Sequence, residues 1–386
     1  MNVYFDHAAT TSTSAAARTA ALRAMEECWG NPSSLHAAGR RAAQRLDEAR
    51  QSVARCLAAS PAELYFTSGG TEADNWAITQ CARMGAQAGK RHLITSAFEH
   101  HAVLHTMERL EQEGGFEVTC LPVHEDGLVR VEELERAIRP DTALVSIMYA
   151  NNEIGTIQPV AELGAVCRAH GVLFHTDAVQ AAGHLPIDVR AQNIDLLSLS
   201  GHKFHAPKGV GALYCRRGGV KLGRLIEGGG QERGKRAGTE NLPGICGMAA
   251  ALEEAVDHME EHAGTAARLR DTLIQGVLER IPGARLNGDR IRRLPGNANF
   301  CFDGVEGESL LLRLDMAGIC ASSGSACTSG SLSASHVLLA LGLDKRTALG
   351  SLRLTLDAEN TMDEVKYVLE TLPGIVSSLR EMRTGW

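Results

Sequence analysis

The most constraining feature of this 386-residue chain is a regular alternation of short apolar runs and amphipathic segments between residues 64 and 215. This alternation predicts a mostly parallel sheet with helices on both faces, because parallel strands need long crossover connections. We predict strands at Leu64–Thr67, His92–Thr95, Glu117–Leu121, Ala143–Met148, Val172–His175, Ile194–Ser200 and Gly211–Tyr214. We predict intervening helices at Glu72–Ala86, Ala102–Glu113, Val131–Ile138 and Val160–His170. Ligands of such sheets bind beyond the carboxyl ends of the strands, where we therefore look for a site.

The pattern changes near residue 250 and predicts a smaller α+β domain of about 130 residues. The predicted helices there are Leu242–His262, Thr265–Arg280, Gly307–Met316, Ser335–Leu341 and Met362–Arg383. Strand patterns cover Asn297–Phe302 and Ile319–Ala321.

Composition excludes several classes of function. The 39 Lys and Arg residues are outnumbered by 46 Asp and Glu residues, and only 4% of the residues are aromatic, so a nucleic-acid-binding surface is not expected. No apolar run reaches 18 residues, and Met1–Asp6 is too polar for a signal peptide, which predicts a cytoplasmic protein without a membrane contact. The ten cysteines form no C-x-x-C pair, so we expect no intrinsic metal site and about nine buried thiols, with Cys327 as the exception.

The segment Ser68–Asn75 follows one predicted strand and begins a helix. Gly69 and Gly70 allow close approach of a ligand, and Thr71 supplies a hydroxyl group and a predicted N-cap. Such a helix start can bind a phosphate. An ordinary strand-to-helix turn is the alternative, because the segment lacks the lysine of a P-loop.

Two further strands end in polar residues. Asp177 could pair with a protonated ring nitrogen or simply cap a turn, and Gln180 could donate to a ring oxygen. Lys203 follows 26 positions after Asp177, about one strand–crossover–strand unit. A half-buried lysine there can form a Schiff base, whereas an isolated lysine is usually a solvated surface charge.

A phosphate cradle, an acidic partner for a pyridinium nitrogen and a Schiff-base lysine together predict pyridoxal phosphate as the cofactor. His100 follows another strand end and could stack on the pyridine ring and transfer protons. His101 is the rival candidate for these roles; alternatively, it is an exposed helix residue without a function in the site.

The segment Ser322–Ser331 is another candidate for function. Its residues are small and polar and include glycine, which predicts a mobile loop that exposes Cys327. Cys320 precedes that loop between Ile319 and Ala321, so we expect it to be buried.

Arg353 lies in an alternating strand and could bind a substrate carboxylate, or be a surface residue of an edge strand. Gly228–Asn241 is glycine-rich and basic, so it is either a flexible linker or a loop that bridges a dimer.

The chain resembles the pyridoxal-phosphate-dependent cysteine desulfurases of the NifS/IscS type, essentially from end to end. The matching motifs are Asp6 with Ala9–Thr11, Gly30–His36, Ser68–Asn75, Glu99–His101, Asn151–Gly155, His175–Gln180, Gly201–Gly209, Arg236–Asn241 and Ser322–Leu332. The amino-acid sequences of the Lys203 segment and of Gly229–Asn241 are most similar to NifS, the nitrogen-fixation branch of the family. His7, where the family commonly has Asn, and Ser333-Ala334, where it usually has Glu-Pro, are departures.

The resemblance implies a fold-type I aminotransferase-like homodimer with a large cofactor domain at residues 14–258. Residues 1–13 and 259–386 would form the small domain, which carries the cysteine loop. Lys203 would hold the cofactor, and Cys327 would receive sulfur from L-cysteine and pass it to an iron–sulfur scaffold or another acceptor. Transient contact of Cys327 with an iron–sulfur cluster is the only metal contact implied.

The same motifs imply further site residues. Gly70, Thr71, His100, Asn152, Asp177, Gln180, Ser200 and His202 would contact the cofactor, and Thr239 would reach the phosphate of the neighbouring subunit. Asn31, Asn152 and Arg353 would hold the substrate cysteine. The alternatives are another pyridoxal enzyme, such as a selenocysteine lyase or an aminotransferase, and a non-catalytic sulfur carrier or assembly adaptor.

Overall fold

A computed structural model describes residues 1–323 and 334–384. The strands in these ranges are β1 (Val3–Tyr4), β2 (Leu64–Thr67), β3 (His92–Ser96), β4 (Glu117–Leu121), β5 (Thr142–Ser146), β6 (Leu173–Asp177), β7 (Leu196–Ser200), β8 (Gly211–Cys215), β9 (Ala284–Leu286), β10 (Asn297–Phe302), β11 (Ile319–Cys320) and β12 (Ser351–Thr355). The helices are α1 (Ala15–Glu27), α2 (Ala37–Cys56), α3 (Gly70–Gln87), α4 (His101–Gly114), α5 (Val131–Ala137), α6 (Val160–Ala169), α7 (Gln231–Gly234), α8 (Leu242–Asp257), α9 (Met259–Arg280), α10 (Gly307–Met316), α11 (His336–Ala340), α12 (Lys345–Leu349) and α13 (Met362–Thr384). None of the helices in these ranges combines the length and apolar character that crossing a bilayer requires.

The central element is a seven-stranded sheet in the order β2-β8-β7-β6-β5-β3-β4. Strand β8 runs antiparallel to both neighbours, and the other pairs are parallel. The predicted mostly parallel sheet with flanking helices is therefore confirmed. Because β8 pairs Gly211 with both Thr67 and Ser200, the carboxyl ends of β2 and β7 lie at the same edge.

Helices cover both faces of this sheet because successive strand residues point in opposite directions. Leu196 packs in the apolar cluster that contains Trp76 of α3, whereas Leu197 packs in the cluster on the opposite face. Helix α3 presents Ala73, Trp76 and Ala77 to the sheet at the spacing of one helical face.

A separate apolar cluster lies around the three-stranded antiparallel sheet β12-β10-β9. Val3 and Phe5 from the start of the chain pack in this cluster with Phe300 of β10. Val337 and Leu338 of α11 pack instead in a cluster of the large sheet, although the predicted boundaries assign them to the small domain. The division at residues 13 and 258 stays a prediction.

One helix boundary differs from the sequence prediction. We expected a break near Gly264, but α8 ends at Asp257 and α9 begins at Met259 and continues through Gly264. A glycine inside a helix costs about 1 kcal/mol relative to alanine, which the packing of a 22-residue helix can offset.

Candidate active site

The turn after β2 places the start of α3 against the edge of the seven-stranded sheet. Gly69 is the N-cap and offers no side chain to the helix, which begins at Gly70. A Cβ atom on Gly70 would lie 2.5 Å from Cγ2 of Val179, so a larger residue would displace the helix. Thr71 is exposed within the first turn, and its predicted role as N-cap is wrong because Gly69 occupies that position. The first N–H groups of α3 lack helical acceptors and can bind an anion.

Two backbone carbonyl groups bind the Lys203 side chain. Its Nζ donates to the oxygen of Ala8 at 2.6 Å and to that of Ala9 at 2.8 Å. Gln180 Nε2 donates to the same Ala8 oxygen at 3.0 Å, and His184 Nε2 donates to the Lys203 carbonyl oxygen at 2.9 Å. Lys203 is therefore fixed by the chain around it and is not a solvated surface lysine.

Asp177 ends β6, and only 5% of the residue is exposed. Its Oδ1 accepts a hydrogen bond from the Val179 N–H at 2.9 Å, so one oxygen does cap a turn. Burial raises the pKa of the Asp177 carboxyl group, while His100 and Lys203 oppose that shift. Asp177 thus combines a turn-capping oxygen with an electrostatic interaction with the basic groups of the site.

A cavity of about 330 Å³ brings most of the predicted site residues together. It is lined by Ala8, Ala9, Gly70, Thr71, Asp74, His100, Met148, Asn152, Asp177, Val179, Gln180, Ser200, His202, Lys203 and Arg353. This volume suits a small organic ligand, and the lining combines a helix N-terminus, two carboxyl groups, two histidines, a lysine and an arginine.

The structure distinguishes the two neighbouring histidines. His100 is the N-cap of α4, its Nδ1 accepts from the Ala102 N–H at 3.1 Å, and its side chain lines the cavity. The His101 ring instead lies 4.9 Å from the ring of His105 and 4.6 Å from that of His336. His100 is therefore the histidine in position to contact a ligand.

Arg353 reaches the cavity from the small three-stranded sheet. It is 3% exposed, so the alternative of a surface arginine on an edge strand is wrong. Its Nη2 forms an ion pair with Asp6 Oδ1 at 2.9 Å, and its Nη1 donates to the Asn152 carbonyl oxygen at 3.0 Å. Ser322 donates to the other Asp6 oxygen at 2.9 Å, and Arg353 Nε has no hydrogen-bond partner among the described residues.

Two predicted site residues lie away from this cavity. Asn31 is exposed, and its Oδ1 accepts from the Ser33 N–H at 2.9 Å. Thr239 is also exposed and does not line the cavity of its own chain. Their roles toward substrate and toward a neighbouring subunit stay predictions.

The segment Gly228–Asn241 is not a flexible linker. Glu232 is buried and forms an ion pair with Arg50 at 2.6 Å. Arg236 forms a second ion pair with Glu72, near the start of α3, at 2.9 Å. The segment is thereby fixed to α2 and to the helix that begins at the cavity.

Cys327 lies outside the described residues. Cys320 is exposed, so its predicted burial is wrong: on the short strand β11 the apolar position that turns inward is Ile319. The expectation of nearly complete burial is also wrong among the nine described cysteines, because Cys120 is exposed and Cys56 is only partly buried. The buried ones are Cys28, Cys81, Cys167, Cys215, Cys246 and Cys301.

Sequence reasoning did not single out several residues that line the cavity. Ala8 and Ala9 contribute carbonyl oxygens to Lys203, and no side-chain pattern reports such a backbone contact. Asp74 could have been noticed from the sequence, because it is an acidic residue between the apolar positions Ala73 and Ala77 on the buried face of α3. In the described part of the chain, no group of three or more His, Cys, Asp or Glu side chains could hold a metal ion.

Comparisons with known proteins agree with this geometry. The family model described as Aminotransferase class-V matches residues 3–368. The chain is 53% identical over 386 residues to a protein named cysteine desulfurase IscS from Clostridium botulinum, covering 100% of this chain and 96% of that protein. It is 49% identical over 385 residues to a cysteine desulfurase from Gluconacetobacter diazotrophicus, with 100% and 96% coverage. A solved NifS-like protein superposes with a TM-score of 0.91 at 40% identity, covering 98% of this chain and 100% of that one.

Proposed function

The chain belongs to the class-V aminotransferase family, and from that premise we propose that it is a pyridoxal-phosphate-dependent cysteine desulfurase. It converts L-cysteine to L-alanine and leaves the substrate sulfur on an enzyme cysteine as a persulfide. The observation that carries the proposal is the single cavity in which Lys203, Asp177 and Arg353 meet. The full-length relatives that are named cysteine desulfurase support the choice of substrate.

The residues of the cavity fit pyridoxal phosphate. Gly70 provides a cradle that a Cβ atom would fill, at the start of a helix with no capping side chain, which suits the phosphate. Asp177 is a buried acid of the cavity and would pair with a protonated ring nitrogen. Gln180, His100 and Lys203 line the same space and would contact the ring oxygen, the ring face and the aldehyde carbon. Ser200, His202, Thr71 and Asn152 complete the proposed contacts.

When bound, the cofactor supplies an electron sink for the α-carbon of the substrate. The chain's own residues orient that substrate and move its protons. Arg353 binds the substrate carboxylate with a planar guanidinium group that suits two parallel hydrogen bonds. Lys203 carries the α-proton, and the carbonyl oxygens of Ala8 and Ala9 stabilise its protonated form. His100, which lines the same cavity, supplies further acid–base help.

The sulfur-accepting residue in this proposal is Cys327. Its thiolate forms a bond to the substrate sulfur as the carbon–sulfur bond breaks, and the electron pair remains with the carbon chain that leaves as alanine. Cysteine and one enzyme thiol thereby give alanine and one enzyme persulfide, without an external oxidant. The assignment rests on the family resemblance of the Ser322–Leu332 run and on the position of Cys327 within it.

The test is simultaneous measurement of alanine and of persulfide after L-cysteine is added to the loaded enzyme without a reductant. We expect one added sulfur per subunit on the Cys327 peptide. Cys327→Ser should bind cysteine but release neither alanine nor sulfide, whereas the matched control Cys320→Ser should keep turnover. An active Cys327→Ser enzyme, or alanine formation with no persulfide, would favour an aminotransferase-like or selenocysteine-lyase reaction instead.

The proposal includes a homodimer. Exposed apolar side chains cluster in sequence at Leu22, Met25, Trp29 and Leu35, with exposures of 57%, 57%, 74% and 90%. A contact between copies would cover such residues, and the exposed Thr239 would be free to meet the phosphate site of the partner. Sedimentation should give a dimer at assay concentrations, and a fully active monomer would contradict this part of the proposal.

The acceptor in the proposal is an iron–sulfur scaffold in the cytoplasm, serving nitrogenase maturation. Two observations support this. The amino-acid sequence of the Lys203 segment is most similar to the nitrogen-fixation branch, and a solved structural relative is NifS-like. A cytoplasmic thiol pool would also keep a persulfide-forming cysteine reduced between turnovers. Deleting the gene should abolish growth on dinitrogen but not on ammonia; loss of both would indicate a housekeeping role.

A further inference from the structure

The carboxyl group of Asp74 lies in the same cavity as Asp177, and the proposed reaction gives it no role. Asp74 is 1% exposed, and within residues 1–323 and 334–384 its Oδ1 has no hydrogen-bond partner. That oxygen lies 3.6 Å from Nε2 of His175. His175 and Asp177 alternate along β6 with Thr176 between them, so both point to the face of the sheet that α3 covers. Two acidic side chains therefore face one buried space.

The surroundings of the two carboxyl groups differ. Asp177 accepts a backbone hydrogen bond from Val179 and interacts electrostatically with His100 and Lys203. Asp74 has neither of these stabilising interactions. Burial raises its pKa, the carboxyl groups of Asp177 and Glu99 raise it further, and only the Ser198 hydroxyl group opposes that shift. An ionised carboxylate without a cation in a fully buried position is strongly disfavoured.

The histidine beside Asp74 does not supply the missing positive charge. His175 is fully buried, and burial lowers its pKa to about 3. Its Nδ1 pairs with the Ser146 hydroxyl at 2.8 Å and its Nε2 with the Ser198 hydroxyl at 3.0 Å. Both ring nitrogens are thus satisfied by neutral groups, which favours the uncharged ring.

We propose that Asp74 is a positioning residue that remains protonated at neutral pH, so that of the two facing acids only Asp177 carries a negative charge. An uncharged Asp74 does not oppose the ionisation of Asp177, so Asp177 can pair as an anion with the protonated ring nitrogen of the cofactor. A second negative charge in the same space would instead repel the first. The consequence for the cofactor rests on the proposed function, but the protonation of Asp74 does not.

The direct test is infrared spectroscopy of the protein without cofactor or substrate, between about pH 6 and pH 8. The wild type should show the C=O stretch of a buried protonated carboxyl group. The wild-type-minus-variant difference spectrum of Asp74→Asn should contain such a band, and that of the matched control Asp177→Asn should not. Glu99 and Glu153 are further buried acids with pKa values raised to about 8 and about 7, so the difference spectra of Glu99→Gln and Glu153→Gln identify their separate bands.

Stability supplies a second readout. Burial and Asp177 raise the pKa of Asp74, so the folded state binds a proton that the unfolded state has already lost at neutral pH. Raising the pH therefore favours unfolding, and the stability that protonated Asp74 contributes is lost as pH rises through its folded pKa. Asp74→Asn removes this dependence, so its stability relative to wild type should increase with pH.

In the loaded enzyme, Asp74→Asn should keep turnover within about threefold of wild type and leave the acid limb of the pH profile in place. Asp177→Asn should lose most turnover. The proposal is overturned if the wild-type-minus-variant difference spectrum of Asp74→Asn lacks a protonated-carboxyl band or that of Asp177→Asn contains one. It is also overturned if the two variants lose turnover equally, which would show that Asp74 works as an anion.

Discussion

The two sides of the cavity are built differently. On the large-sheet side, Asp177 ends β6, Lys203 follows the adjacent parallel strand β7, and both side chains form hydrogen bonds with backbone groups. On the small-sheet side, Arg353 lies inside β12 and forms an ion pair with Asp6. The difference indicates that the large-sheet side is already arranged for its ligand, whereas Arg353 must share or exchange an internal partner when a substrate carboxylate binds.

A single segment joins these two sides. Asp6 contacts Arg353, and the carbonyl groups of Ala8 and Ala9, two and three residues later, contact Lys203. Thr11 continues the connection, because its N–H and its hydroxyl group both donate to the His202 carbonyl oxygen. We therefore expect changes on the large-sheet side to affect the chemical step and changes on the small-sheet side to affect substrate affinity.

The largest effect should come from Lys203→Ala. The variant removes both the group that would hold the cofactor and the group that would move the substrate proton, so we expect a loss of about 10⁴-fold or more in kcat. The measurement is alanine production under saturating L-cysteine. Lys208→Ala is the matched control, because it removes a lysine from the same segment without altering the cavity, and it should remain active.

A smaller and different effect should come from Arg353→Lys. The positive charge is kept, but the planar fork that suits a carboxylate is lost. We expect KM for L-cysteine to rise about 10- to 100-fold, which corresponds to a charged hydrogen bond, while kcat changes little. If kcat fell as strongly as in Lys203→Ala with KM unchanged, the distinction between the two sides of the cavity would be wrong.

The smallest effect should come from Asp6→Asn. The amide keeps the shape of the Asp6 side chain but removes the charge that orients Arg353. We expect KM to rise less than about tenfold, and the double variant with Arg353→Lys should show a non-additive effect because the two side chains are in contact. A fall in KM would show that Asp6 competes with the substrate carboxylate for Arg353 and does not orient Arg353 for binding.

Much of the fold could be predicted because its signals are local. The strands Leu64–Thr67, Glu117–Leu121 and Asn297–Phe302 have the predicted bounds, since apolar runs between polar turns mark them directly. Helices α1 and α2 were not predicted. Alanine-rich helices have small apolar side chains, so their buried faces contrast weakly with the rest of the sequence.

The site could be predicted wherever a side chain at a strand end carries the chemistry, as with Asp177 and Lys203. It could not be predicted where the contact is made by a backbone carbonyl, as at Ala8, or where two residues meet across the fold, as with Asp6 and Arg353. The apolar neighbours of Cys320 predict that it is buried, but on a two-residue strand the side-chain direction decides exposure.

The most direct test of the account is to locate the lysine that binds the cofactor. Borohydride reduction of the enzyme loaded with pyridoxal phosphate, followed by digestion and mass spectrometry, should place the label on the peptide containing Lys203. The label should be absent from the Lys203→Ala variant treated in the same way. Labelling of Lys208 instead, or of Lys203→Ala to the wild-type extent, would contradict the assignment of the cavity and of the reaction proposed for it.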